Sequence, residues 1–473
     1  MLEVLLILCI IPGFFLAVNS PRLLMLVVWL LYLLNNGLAY YLNFDIRTYL
    51  LATGLLLGAI GAAIVTVLQY RTTVINPALR TFLLFTLGVA AFYFFMRPSR
   101  IDLVAFKGVI ETFQYPLWAA SLGVLFSLKR DPFEKNVNWV LSISVKFMFI
   151  HSLAIILQWL FFPSLKGYDP SVSISQWDIY NGLFGGYGTG SVTPVLAGVV
   201  ATAIAYRFHT RQAGFMDKAL LLLLPFALVV SEGKAGIFAM GAGLLASFLL
   251  FRWRGKAKRI HTRRMARGIG IAFFLLVVLG LSDRLLQQYY SGSLLWSREQ
   301  LVEYLFREKT SQGTLPRLGS LVALVAEEIQ DPDVLATGHG PGSSVGITAA
   351  GDIAEWHINT LYGVASRALN RLIYELGLLG ILSYSLILLL CVRAAKASCR
   401  LADMSGIFSV VVIVLVLLSV FAITNYYSVL TDRQIGIYVW TLLGIFLSAS
   451  CLNSPEAFKP THPTWNRLGG VSS

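Results

Sequence analysis

What most constrains this chain is a recurrence of apolar runs of about 20 residues, the length an α-helix needs to cross ~30 Å of hydrocarbon. They follow one another from the first residues almost to the last. Inside a bilayer, backbone N–H and C=O groups are satisfied only in helices or closed barrels, and runs of this length are helical. With 57% of the 473 residues hydrophobic and 13% charged, no soluble domain of ordinary size fits between them. The expected fold is an all-α polytopic membrane protein, a single integral membrane unit over 1–473. Hydropathy predicts about 13 transmembrane helices, roughly 12 to 14. The opening run, Leu2 to Leu16, has Glu3 and no basic residue ahead of it, so it reads as a retained span rather than a signal peptide. Cys9, Cys391, Cys399 and Cys451 fall in or beside apolar runs and form neither a disulfide framework nor a zinc spacing.

A formal charge of +13 raises the question of nucleic acid, but the basic residues cluster in short connections that alternate along the chain. Positive-inside bias explains that pattern, and no nucleic-acid partner is expected. The densest cluster, Arg252, Arg254, Lys256, Lys258, Arg259, Arg263, Arg264 and Arg267, fixes a cytoplasmic loop and faces anionic membrane lipids. Arg207 to Lys218 and Arg393 to Arg400 are then also inside. Residues 163–194 form a smaller external loop and 283–370 a large one, after which the helix containing Gly377 to Val392 returns. The pair Ile407 to Thr424 and Ile437 to Leu452 leaves the C-terminus cytoplasmic.

Long loops on a membrane scaffold are usually functional. Within the large loop, Leu318, Leu321, Val322, Val325 and Ile329 are spaced as one apolar helical face, with Pro316 where a first turn tolerates it. Arg317 opens that helix, which is expected to lie along the membrane surface. Asp331-Pro332 stops it, and Gly338, Gly340 and Gly342 permit a tight turn. Further on, Arg367, Asn370, Arg371 and Tyr374 share a helical face, with Leu369, Leu372, Ile373 and Leu376 on the other. Such a stripe suits an anionic group at headgroup level. Arginines snorkelling to anchor a helix end give the same pattern. At Ala219 to Val230 a short apolar arm ends in Ser231-Glu232-Gly233-Lys234, whose charges are expected at membrane depth, as a site or as a neutralising pair. Lys107 and Glu111 have the spacing of a structural helical ion pair, and His151 reads as a hydrogen-bonded core residue.

Several chemistries find no motif. The glycines of Gly338 to Gly342 lack the lysine of a nucleotide loop, and G-x-S-x-G and H-E-x-x-H are absent. Asp331-Pro332-Asp333 is read as a helix stop rather than a metal site, and no cofactor is expected.

The arrangement resembles the O-antigen polymerase and O-antigen ligase superfamily of bacterial inner-membrane glycosyltransferases. Four places carry the resemblance: Ser231 to Gly236 (SEGKAG), Arg317 with the helix and GHGPGS after it, Glu375 to Gly380 (ELGLLG), and Asn181 to Gly188 (NGLFGGYG). Lys234 stands where an arginine is usual, which keeps a cation but loses its planar fork. Where ligases carry a histidine-asparagine pair ahead of the returning helix, this chain has Ser366-Arg367, which favours a polymerase.

The resemblance implies a GT-C-like fold. It also implies transfer of a saccharide from an undecaprenyl-pyrophosphate carrier to a sugar hydroxyl on a second lipid-linked repeat at the periplasmic face. A chain-length regulator and a lipid-linked-sugar flippase are the implied partners. On this reading Arg317, Arg371 and Lys234 meet the pyrophosphate, and Glu375, His357 or His339 serves as base or orients the acceptor. Arg367, Asn370, Tyr374, Arg298, Tyr180 and Trp177 are the implied substrate-binding residues. A ligase, or a transporter or flippase of the same lipid-linked saccharides, is the alternative. Concentration of polar residues at the outer surface favours an enzyme over a transporter.

Overall fold

The computed structural model describes residues 2–34, 48–69, 77–96, 103–128, 133–161, 180, 182–209, 212–231, 236–237, 239–245, 247, 302, 306, 315–343, 362–364, 367–399 and 433–448. The basic cluster from Arg252, the apex Glu232 to Lys234, Arg298, Trp177, His357 and the side chains of Lys107 and Tyr187 lie outside them. Every regular element among the described residues is an α-helix. In chain order these are α1 (Leu2–Asn19), α2 (Pro21–Leu33), α3 (Thr48–Gln69), α4 (Pro77–Phe95), α5 (Leu103–Leu128) and α6 (Phe133–Phe161). There follow α7 (Gly185–His209), α8 (Phe215–Val230), α9 (Arg317–Glu328), α10 (Pro332–Thr337), α11 (Ala368–Cys399) and α12 (Arg433–Ser448). Among the described residues, four stretches are long and apolar enough to cross a membrane: Tyr49–Gln69, Pro77–Phe95, Lys135–Phe161 and Ala368–Cys391. The chain is a helical membrane protein.

Lipid tails are as apolar as leucine, so helices in a bilayer associate through close packing and buried hydrogen bonds rather than hydrophobic burial. Both devices occur. On α3, Gly54 and Gly58 lie four apart and press on α1, Gly54 against Leu6 and Cys9 and Gly58 against Ile10 to Phe14; a methyl group at Gly58 would stand 2.6 Å from the Phe14 nitrogen. At the centre of the bundle, Thr441 on α12 accepts a hydrogen bond from Trp29 of α2 and another from Trp118 of α5, each 2.8 Å long. One hydroxyl therefore joins three helices, and both indoles are fully buried.

Two connections differ from their sequence reading. The helix expected after Pro194 begins at Gly185 and runs through that proline, so 185–194 are helical rather than loop. Glycine weakens a helix locally, and burial of Val192, Thr193 and Val195 outweighs that weakness. His151 is a core residue, as its context suggested: one ring nitrogen meets Thr193 at 2.9 Å and the other accepts from the Leu183 amide at 3.1 Å.

Thr441→Val keeps the shape of the side chain but removes the acceptor shared by two indoles, each of which costs about 1–3 kcal/mol when left unpaired in the interior. The variant is expected to unfold several degrees below wild type when heated in detergent. An unchanged midpoint would contradict the three-helix pin.

Candidate active site

Helix α9 starts where Pro316, at φ -61 and ψ 161, turns the chain into the first turn, leaving Arg317 as its first residue and half-buried. Its inner stripe is Ser320, Leu324 and Glu328. Of the predicted apolar face, Val322 and Ile329 are 66% and 60% exposed, while Leu321 and Val325 are half-buried. The inner stripe is held by polar pairing: α11 meets α9 with hydrogen-bonding groups that hydrophobic spacing does not reveal. Arg367 donates to the carbonyls of Leu315 at 2.6 Å and Pro316 at 3.1 Å, and also to the Ser320 hydroxyl. Asn370 donates to Ser320 Oγ at 2.9 Å and to the Tyr362 carbonyl at 2.7 Å, and Ser320 in turn donates to the Arg317 carbonyl. Arg367 and Asn370 thus fasten the backbone on both sides of Arg317.

Beyond α9, Asp331 caps α10 by accepting from the amides of Asp333 and Val334 at 3.2 and 3.3 Å. Gly338, Gly340 and Gly342 then take φ values of 72, 99 and 81, in the region that favours glycine. The resulting loop docks on a break in α11 at Gly377, where φ is 64 and ψ -165. The His339 amide donates to the Tyr374 carbonyl at 2.7 Å and the Gly340 amide to the Glu375 carbonyl at 2.9 Å. The next carbonyl, Leu376, accepts from the Tyr93 hydroxyl of α4 at 2.8 Å. On the loop's other side, a methyl at Gly108 of α5 would overlap the Pro341 to Gly342 backbone. The loop is wedged between α5 and α11.

Beside the break lies a charged cluster. Arg371 Nε donates to Glu375 Oε1 at 3.2 Å, and Thr112 of α5 donates to Glu375 Oε2 at 3.4 Å. Glu111, also on α5, holds its Oε2 3.9 Å from Arg371 Nη2. Glu111 is therefore tied to α11, 260 residues onward, as well as lying one turn from Lys107. The stripe of Arg367, Asn370, Arg371 and Tyr374 is buried against protein rather than open to headgroups, because α9, the loop and α5 close over it.

The remaining predicted residues are placed as follows. His339 Nε2 meets Glu328 Oε1 at 2.9 Å, its ring lies 4.3 Å from that of Tyr374, and its side chain is 33% exposed. Tyr180 is buried with Ile155 and Ala227, against Trp159 and Val230, so it contributes to the core beside the end of α8. Lys234, His357, Arg298 and Trp177 lie outside the described residues. Sequence reasoning missed Thr112, Ser320, Glu328 and the hydroxyl of Tyr93. It also missed Tyr362, whose phenol is pushed up to about 12 by burial first and by the neighbouring Glu327 carboxylate.

Comparison of the chain with protein-family models, with curated proteins and with solved structures finds no match in any of the three.

Gly377 combines a backbone conformation essentially restricted to glycine with a Cβ position 2.5 Å from the Ala336 carbonyl. Gly377→Ala is expected to release the loop, so that trypsin cuts after Arg317 several-fold faster than in wild type. Gly88→Ala, where a methyl meets nothing within 4 Å, is the control and should cut at the wild-type rate. Equal rates for all three proteins would show that the loop does not depend on the break.

Proposed function

We propose that this chain is a membrane glycosyltransferase that polymerises undecaprenyl-pyrophosphate-linked oligosaccharide repeats into O-antigen, capsule or exopolysaccharide. The reading includes a GT-C-like bundle of about 13 spans in a bacterial inner membrane, its site facing the periplasm and its C-terminus the cytoplasm. The observation that carries it is Arg317, a half-buried residue at a helix start whose backbone is fixed by Arg367 and Asn370. A cation held this way, at the edge of a membrane protein without nucleotide or hydrolase motifs, is suited to an activated anionic donor.

The chemistry follows from the donor. An acceptor hydroxyl attacks the anomeric carbon, the bond from that carbon to the pyrophosphate oxygen breaks, and the electron pair leaves with the pyrophosphate. Negative charge grows there, and a preorganised cation in a low-dielectric site stabilises it without reorganising. Arg317 fills that role, joined by Arg371 one turn beyond Arg367 and by Lys234. The acceptor proton passes to His339, whose ring is oriented by Glu328 at 2.9 Å. The bond energy is already stored in the lipid pyrophosphate, so the reaction calls for no nucleotide.

The His339 and Glu328 pair also supports a second reading. A ligase needs a base for its acceptor hydroxyl, and this histidine supplies one at a different place in the sequence from the usual pair.

Purified protein given a synthetic lipid-linked repeat, with glycan sizing as the readout, separates the readings. A ladder of multiples is expected. Transfer of one glycan to a foreign lipid or protein acceptor would instead mark a ligase, and unchanged substrate with movement across a vesicle membrane would mark a transporter. Arg317→Ala is expected to lower polymer output by about 10²–10³-fold at normal expression, the loss typical of one transition-state donor. Output near wild type would remove Arg317 from the site.

A further inference from the structure

Arg371 is held unequally by its two carboxylates. Glu375 is on the same helix at the next turn, bonded to Nε at 3.2 Å, and is itself engaged by Thr112. Glu111 comes from another helix and approaches Nη2 only to 3.9 Å, within ion-pair range but beyond a hydrogen bond. Among the described residues Nη2 has no hydrogen-bond acceptor, although Arg371 is 6% exposed. A guanidinium edge buried in this way is costly, and it points to a ligand that completes it. An anion that approached Nη2 would meet Glu111 at that same edge, so the two would compete for it. Glu111 is also the more open of the two carboxylates, with 12% of its side chain exposed against 1% for Glu375.

We propose that Glu111 is an exchangeable counter-ion: it holds the Nη2 edge of Arg371 while the site is empty and yields that edge to the pyrophosphate of the lipid-linked donor. Glu375 and Thr112 keep the guanidinium in place during the exchange. Glu111 is then a positioning residue, which sets how readily the anion enters and prevents Arg371 from standing uncompensated when it leaves. This inference rests on the pyrophosphate reading above.

The test uses the purified full chain in detergent and farnesyl pyrophosphate as the probe, with binding measured by calorimetry at two salt concentrations. Glu111→Gln keeps the side chain's size and removes its charge. It is expected to bind the probe about tenfold more tightly than wild type, the gain from removing one like charge beside the anion. Arg371→Lys, which keeps the charge but loses the planar fork, is expected to bind about tenfold more weakly. Unfolding midpoints confirm that each variant is folded. If Glu111→Gln binds as wild type does, or more weakly, while Arg371→Lys or Arg317→Ala weakens binding, the exchange is overturned and the pyrophosphate reading stands. Wild-type binding by Arg317→Ala and Arg371→Lys alike would overturn both.

Discussion

A helix that breaks inside a membrane protein must find new partners for the carbonyls it turns away from its own axis, because hydrocarbon supplies none. In α11 the break at Gly377 presents the carbonyls of Tyr374, Glu375 and Leu376 to the loop and to α4. Two are taken by the amides of His339 and Gly340, the third by the hydroxyl of Tyr93. This exchange holds the end of the segment 315–343 against the bundle, and the rest of the candidate site hangs from it. Once the loop is docked, α10 and α9 are carried onto α11, Glu328 reaches His339, and Ser320 reaches Arg367 and Asn370.

The cationic residues that look alike in the sequence divide into different tasks in space. Arg367 is spent on carbonyls at the start of α9 and shapes that start rather than presenting a free edge. Arg371 is compensated by carboxylates from two helices. Arg317 stands half-buried on the segment those contacts fix. In the proposed polymerase this division gives one cation presented to the leaving group, one scaffold, and one held in reserve by an exchangeable partner. Preorganisation of this kind is where most electrostatic stabilisation of a growing negative charge originates.

Much of this was legible in the sequence, and the parts that were not share a cause. Span-length apolar runs announced a helical membrane protein, and the glycines at 338, 340 and 342 announced the turn, because chain length and positive φ are local properties. The inner face of α9 was not legible because beside Leu324 it carries Ser320 and Glu328, polar groups that Arg367, Asn370 and His339 meet. Hydrophobic spacing cannot register a face made of hydrogen bonds. The approach of Arg371 to Glu111 was not legible for a related reason: a helical spacing of four is visible locally, as between Lys107 and Glu111, whereas an approach from α11 depends on the tertiary fold. The packing of Tyr180, which the resemblance makes a substrate-binding residue, against α6 and α8 was likewise not legible, since it depends on the tertiary fold.

The dependence of the segment 315–343 on the α11 break is tested most directly by hydrogen exchange at the His339 and Gly340 amides in the intact protein. Both donate to carbonyls of α11, at 2.7 and 2.9 Å, within a wedge between two helices. They are expected to exchange as slowly as the amides of α11 itself, and Gly377→Ala should bring them to the rate of an open loop. Rapid exchange of these two amides in the wild-type protein would contradict the account.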